Sequence, residues 1–512
     1  MRNEVKDTLE TPALSDGSAP TRVSRIPLAA FALAALLFMP CLSMTGLLGP
    51  DEPRYAAIGR RMAESGDWVT PVLWGTPWFE KPVLLYWMAA LGFRSGLGQE
   101  MAPRLPVTLA SCAFLVLYYW TLRREFSQTA AAFATTILAT SAGWAAYSHL
   151  ALTDLPMSAA FSAALLLALP WIARGEASRL WLSGAALGIA VLAKGLVPLV
   201  LALPMVWMGR RHLRQLAPAA IACVVIATPW YFLCALRNPG FLADFLGKHH
   251  VGRFADDTLK HEQAFWFYVP VFLASLFPWT PLAGAIRWRG IVSDRRRLLL
   301  AGTVLFGFAF FSLSRNKLPG YLLPLIPSAC ALVGLAYAEA GRRARWVLAC
   351  ASVLLAIVPA IAGVLPSALA TGLSRSRLPE MNWLWLLPAA AIAAACWELE
   401  RRGRRATAFT LCATVAAGSL LYLKLTVFPL LDQRVSARSL WQQVDPVAHR
   451  VCVENMHRSW RYGLNYYSRE PLPDCFTSPR ALAIRQSPGE PPVLGTEPRP
   501  QGSGQKIRGP AQ

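Results

Sequence analysis

Residues 26–49 read "IPLAAFALAALLFMPCLSMTGLLG", and "PDEPRY" follows at 50–55. An uncharged run of this length suffices to cross a hydrocarbon core, which needs about 20 helical residues. Two carboxylates between two prolines, followed by an arginine, then arrive where such a helix would meet the membrane surface. The run is longer than the apolar part of a signal peptide and lacks a small-residue cleavage site. It is therefore expected to be an uncleaved first helix at 26–48. Residues 1–25, ending in the basic "TRVSR", are read as a cytoplasmic tail.

Working outward, 55% of the 512 residues are hydrophobic and 15% are charged. That is too apolar for a soluble chain of this length and points to a polytopic membrane protein. The net charge of +21 does not signal nucleic acid. Its arginines fall in short clusters between apolar runs, at Arg123–Arg124, Arg174–Arg179, Arg210–Arg214, Arg287–Arg297, Arg342–Arg345 and Arg401–Arg405. Placing all six on the cytoplasmic side gives spans at 104–122, 128–148, 155–172, 179–193, 196–209, 214–235, 263–286, 298–314, 318–338, 346–366, 382–397 and 406–428. With 26–48 these make thirteen. The short pair 179–193 and 196–209 meets at "LAKGLVP".

One apolar run is left out. Treating 82–98 as a span would invert every later loop, so 82–95 is expected to lie in the outer interface, with Tyr86 and Trp87 at headgroup depth. A second surface helix is expected at 53–64, with Tyr55, Ile58 and Met62 on one side. Both belong to a first periplasmic loop at 49–103. After 428 the chain should form a small mixed α/β periplasmic region, 429–486, with strand-like stretches at "RVCVEN" and "GLNYYS". Residues 487–512, rich in Pro and Gly, are read as a disordered tail. Of ten cysteines, eight lie in expected spans as small apolar fillers. Cys452 and Cys475 lie outside, where oxidation is permitted, and a disulfide between them is expected to add about 3 kcal/mol.

A carrier would place ionisable groups in mid-span. Here the spans are almost uncharged, Lys424 being the notable exception. Polar residues gather instead at the outer helix ends, among them Asp51, Glu52, Arg54, Glu80, Lys81, Asp154, Lys194, Arg253, His261 and Lys317. Chemistry confined to one face suits an enzyme acting on lipid-linked substrates better than a transporter or flippase, which remains the rival class.

The stretch "DEPRYAAIGRRMAESGDWVTPVLWGTPWFEKPVLLYW" (51–87) resembles the first outer loop of the bacterial lipid A 4-amino-4-deoxy-L-arabinose transferases, GT-C enzymes related to protein O-mannosyltransferases. The resemblance continues in "RLP" (104–106), "LALTDLPM" (150–157), "LAKGLVPL" (192–199), "HHVGRF" (249–254), "HEQAFWFYVP" (261–270) and "SRNKLPGYLLPLIP" (314–327). It implies an all-α GT-C fold in the bacterial inner membrane with its active site facing the periplasm. It further implies transfer of an aminosugar from undecaprenyl phosphate to a lipid A phosphate. A protein Ser/Thr hydroxyl or another envelope glycan is the alternative acceptor.

Glycosyl transfer passes through an oxocarbenium-like state that a carboxylate stabilises, while a departing phosphate needs cations. Asp51 and Asp154 are the expected catalytic carboxylates, and each also stands where a helix cap could. Glu52 is expected to face solvent or pair with Arg54. Arg54, Lys81, Arg253, Lys317 and Tyr321 are assigned to the donor phosphate and lipid. Lys81 has the alternative of a plain interfacial anchor, and "SRNKLPGY" that of a helix-breaking loop. Glu80 and His261 are the candidate ligands of a divalent metal such as zinc, though no paired metal-ligand spacing is present.

Overall fold

The computed structural model describes residues 32, 34–245, 247, 263–376, 382–487 and 489–496. Among them, eight helical stretches are long and apolar enough to span a membrane. They are Met101–Glu125, Asp154–Arg174, Arg210–Arg237, Arg295–Leu313, Pro319–Ala338, Arg343–Thr371, Trp383–Arg401 and Arg405–Val435. The chain is a multi-pass membrane protein.

The other five expected spans fare differently. Most of 26–48 lies outside the described residues, and its visible helix stops after residue 38, before Pro40, which has no N–H for a helical bond. Segment 128–148 divides at Ser141 into Gln128–Thr140 and Ala142–Tyr147. Leu180–Lys194 is only 15 residues long, and 196–209 is two short pieces, Val197–Leu201 and Leu203–Met208. Within 263–286 helix persists only over Tyr268–Ser275 before a 3-10 turn at Thr280–Ala285. Hydropathy registers all of these as apolar, but it does not register the prolines and turns that interrupt them.

The helices that position the site are labelled in chain order: α1 (Asp51–Ser65), α2 (Leu84–Arg94), α3 (Met101–Glu125), α4 (Asp154–Arg174), α5 (Leu180–Lys194) and α6 (Ala217–Arg237). They are followed by α7 (Arg295–Leu313), α8 (Ile326–Ala338), α9 (Arg343–Leu354), α10 (Leu386–Arg401) and α11 (Arg405–Val435). At 1.5 Å per residue α4 is about 32 Å long, carries Asp154 in its first turn and Arg174 in its last, and stops at Gly175 with φ 76°. Those end charges suit the helix dipole, and the left-handed glycine is a common helix stop. Its apolar window is 94% buried, against 17% for Trp383–Arg401, so α4 is the axis of the bundle and α10 its lipid-facing rim. Small residues let α5 press on α6: a Cβ on Gly188 would lie 2.8 Å from the Cys223 carbonyl oxygen.

The helix ends sort by charge. At one end Arg174 Nη1 donates to Glu125 Oε2 at 2.9 Å, Arg297 pairs with Glu339, and Arg405 Nη1 donates to the Ala338 carbonyl at 2.9 Å. The opposite end collects Asp51, Asp154, Lys194 and Tyr321. A 3-10 turn, Pro319–Leu325, begins there and runs into α8, which finishes at the arginine end.

The first loop folds inward more than its polar sequence suggests. At 11 residues α2 is too short to span, and it packs against α1. Tyr86, expected at headgroup depth, is fully buried. Glu52 neither faces solvent nor pairs with Arg54. It is 1% exposed and receives Arg104 in a fork, Nε to Oε1 at 2.7 Å and Nη2 to Oε2 at 2.8 Å. The amides of Leu48 and Ala151 donate to the same carboxylate at 2.7 and 3.0 Å. Arg104 also donates to the carbonyls of Leu42, Thr45 and Gly46. This one ion pair ties the end of the first apolar run, α1, α3 and the loop before α4 together.

Beyond α11 lies a three-stranded sheet in the order β3–β4–β5 (Val451–Glu454, Leu482–Arg485, Val493–Thr496), following the small hairpin β1–β2 (Val72–Leu73, Thr76–Pro77) of the first loop. β3 and β4 are parallel, β4 and β5 antiparallel. "RVCVEN" is thus a strand as expected, but "GLNYYS" belongs to a helix, α12 (Arg458–Tyr467). Its buried Trp460, Gly463, Leu464 and Tyr467 follow helical spacing, which the local β-forming tyrosines disguise. β5 falls inside the stretch read as a disordered tail; pairing with β4 orders it despite the neighbouring prolines. Cys452 and Cys475 form the expected disulfide.

Candidate active site

Asp51 opens α1. Pro50 occupies the N-cap position and no side chain caps the helix, so Asp51 is free of the capping role. Its carboxylate instead pairs with Arg54, three residues on. Arg54 is the hub of this wall: Nη1 donates to Glu80 Oε2 at 2.9 Å and Nε to the Pro50 carbonyl at 3.0 Å. Its guanidinium lies over the rings of Trp78, at 5.4 Å, and Tyr462, at 5.2 Å. Burial alone would lower the Arg54 pKa, but Glu80 and Asp51 outweigh it and push it up, so the cation stays charged. Burial, reinforced by the same two carboxylates, raises Tyr55 well above an ordinary tyrosine and keeps its hydroxyl protonated.

The opposite wall comes from the bundle axis. Thr153 is the N-cap of α4 and no side-chain capping bond forms, so Asp154 too is available. Lys194, the last residue of α5, donates Nζ to Asp154 Oδ1 at 2.6 Å and stands 4.8 Å from the centre of the Tyr321 ring. Gly320 closes against this pair. A Cβ there would come within 2.7 Å of both Asp154 Oδ1 and the Tyr147 hydroxyl, so only glycine leaves the carboxylate where it is.

Between the walls lies a cavity of about 270 Å³. Of the residues expected in the site, Asp51, Arg54, Glu80, Lys81, Asp154 and Tyr321 all line it. Lys317 does not: it is buried, and Nζ donates to the carbonyls of Ser314 at 2.7 Å and Gln263 at 3.3 Å. Arg253 and His261 lie outside the described residues. The sequence reading placed Lys194 on the outer face without giving it a role, although a cation ending an apolar run was a signal. It missed Tyr147, Asn316 and Arg458. Arg458 starts α12, beyond the stretch that carries the family resemblance, and had no signal at all.

Three carboxylates (Asp51, Glu80, Asp154) and four cations (Arg54, Lys81, Lys194, Arg458) therefore face one space. The Asp51 side chain is 41% exposed, against 10% for Glu80 and 17% for Asp154, making it the most accessible of the three. Glu80 faces the cations Arg54 and Lys81, the latter at 3.5 Å. Among the described residues no group of three His, Cys, Asp or Glu could hold a metal ion. Glu80 is thus held as the ion-pair partner of Arg54 and Lys81. An accessible carboxylate beside clustered cations suits displacement of a phosphate from a sugar.

Residues 23–243 match the family described as dolichyl-phosphate-mannose-protein mannosyltransferase. Among curated proteins, an undecaprenyl phosphate-alpha-4-amino-4-deoxy-L-arabinose arabinosyl transferase from Edwardsiella ictaluri is 36% identical over 293 residues, 54% of this chain and 52% of that protein. One of the same name from Serratia proteamaculans is 33% identical over 324 residues, 60% and 58% of the two chains. The match thus spans little more than half the length of these relatives. The crystal structure of ArnT from Cupriavidus metallidurans bound to undecaprenyl phosphate aligns over 90% of this chain and 93% of its own, with a TM-score of 0.71 and 25% identity.

The fold is that of the GT-C-class membrane proteins, which the aligned ArnT structure shares. Within that class the chain is similar to the bacterial lipid A aminoarabinose transferases, whose motifs its sequence resembles.

Proposed function

We propose that the chain moves 4-amino-4-deoxy-L-arabinose, or a closely related aminosugar, from undecaprenyl phosphate to a phosphate of lipid A. The observation that carries this reading is the convergence of Asp51 and Asp154 with Arg54, Lys81 and Lys194 around one cavity. In the transfer, an acceptor oxygen forms a bond to the anomeric carbon while the bond from that carbon to the donor phosphate oxygen breaks. The electron pair leaves with undecaprenyl phosphate. Lys81 and Arg54 stabilise the charge that develops on it. Asp51 lies nearest the reacting centre, stabilises the oxocarbenium-like carbon and receives any proton released by the acceptor. Asp154, held by Lys194, orients the sugar from the other wall. Arg458 meets the acceptor phosphate.

The name carried by the curated relatives and the undecaprenyl phosphate bound to the similar crystal structure support the donor. The positive-inside pattern supports an inner-membrane protein whose cavity opens to the periplasm and whose arginine end faces the cytoplasm. On this orientation 1–25 is a cytoplasmic tail, 26–428 the membrane catalytic domain, and the region after 428 periplasmic. Tyr321 would line the donor lipid, and Arg253 would join the phosphate cations. Zinc at Glu80 and His261 belongs to the finer reading, and no step above is routed through it. Metal analysis of the purified protein and of its Glu80→Ala variant tests it.

The mannosyltransferase family match supports a second reading, with a protein hydroxyl as acceptor. Mass spectrometry of lipid A from cells with and without the chain separates the two. An aminopentose-sized mass added to lipid A only when the chain is present is the expected result. Unchanged lipid A, with new glycosylation on envelope proteins, would favour the second reading.

A further inference from the structure

A larger cavity, about 630 Å³, lies at the arginine end of the bundle, between residues 285–291, the end of α8 and the start of α9. Pro319–Ala338 begins beside the active-site cavity and ends at this one, and its 3-10 turn and α-helix together run about 33 Å. That is close to the thickness of a hydrocarbon core. The two cavities therefore sit at opposite headgroup levels.

Arg287, Arg289, Arg297 and Arg343 line the space, with Glu339 as its one carboxylate. Glu339 is occupied by Arg297, Nη1 donating to Oε2 at 2.8 Å. The other three arginines have no acidic partner among the described residues. Below them the wall is apolar, formed by Leu332, Leu335 and Ile291, and Trp288 stands at the rim with 62% exposure. Unpaired guanidinium forks select phosphate oxygens. An apolar floor under such a fork, at headgroup depth and beside a tryptophan, favours a phosphate that brings hydrocarbon with it. The volume also exceeds what a lone inorganic anion would fill.

We propose that this cavity binds the headgroup of an anionic glycerophospholipid from the arginine-side leaflet, with the glycerol and first methylenes on the Leu332–Leu335 wall. This site is separate from the proposed transfer and does not depend on it.

The test is native mass spectrometry and thermal unfolding of the full chain in detergent. Cardiolipin, phosphatidylglycerol, phosphatidylcholine and inorganic phosphate are added in turn. Retention of the two anionic lipids and a higher Tm with them are expected, with no comparable effect from phosphatidylcholine or phosphate. The single exposed changes Arg289→Gln and Arg343→Gln should each weaken the lipid effect several-fold. Combined they should weaken it by at least tenfold, while Lys81→Ala, in the other cavity, leaves it intact. Equal binding of phosphatidylcholine, or an equal effect of inorganic phosphate, would overturn the proposal. So would undiminished lipid binding by the folded double variant. If the double variant does not fold, the single variants decide.

Discussion

Asp51 and Lys81 sit within one cavity yet should fail differently when changed. Asp51→Asn removes the charge of the most exposed carboxylate, and because Pro50 rather than Asp51 is the N-cap, the helix loses no capping bond. Turnover should fall by a factor on the order of 10² or more, the usual scale for a positioned acid–base group, with Tm little changed. Lys81→Ala should raise the apparent KM for the donor more than Asp51→Asn does. Steady-state kinetics on the two variants makes the comparison. Gly320→Ala tests position without removing any functional group. Its methyl would push Asp154 off Lys194, so turnover should drop at least tenfold in a protein that still folds. Arg458→Ala should raise the acceptor KM while leaving the donor KM near its original value. Much of this site was legible from residue types at helix ends. Lys317 stands apart from the cavity because it bends back onto the carbonyls of Ser314 and Gln263, which sequence cannot show.

At the scale of elements, Glu52 shows where polarity misleads. Between Asp51 and Pro53 it reads as one more surface carboxylate, yet it is buried against Arg104 from α3, whose "RLP" carries a family resemblance but no visible partner. Glu52→Ala would leave Arg104 charged and uncompensated inside the protein, a loss of about 3–5 kcal/mol. Thermal unfolding in detergent should show a large drop in Tm, in contrast to Asp51→Asn next door. The helices long enough to be continuous were legible from hydropathy, and α3, α4 and α11 lie close to their expected bounds. The broken ones were not. Ser141 and the turn after Ser275 interrupt the backbone within runs whose mean polarity hardly changes. α12 was misread for a related reason: its helical face is visible only once Trp460, Leu464 and Tyr467 are known to pack on one side.

Across the whole molecule, the C-terminal region is fastened to the first loop. Arg60 Nη2 donates to the Tyr466 carbonyl at 2.7 Å, the Tyr466 hydroxyl donates to the Gln99 carbonyl at 2.7 Å, and Tyr467 donates its hydroxyl to Glu100 at 3.1 Å. Burial lifts both tyrosines above the ordinary tyrosine range, so these hydroxyls stay protonated donors through neutral and mildly alkaline pH. The clamp holds α12 over the cavity and presents Arg458 to it. On the proposed function, cavity, clamp and bundle together bring a lipid-linked sugar to an acceptor at the membrane surface. The direct measurement is transfer of label from undecaprenyl-phosphate aminoarabinose to purified lipid A by the protein in detergent, where no membrane barrier exists. A covalent labelled product, made by the native chain and reduced at least 10²-fold by Asp51→Asn, is the predicted result. Folded native protein that binds the labelled lipid and yields no covalent product would contradict the account and point to a carrier.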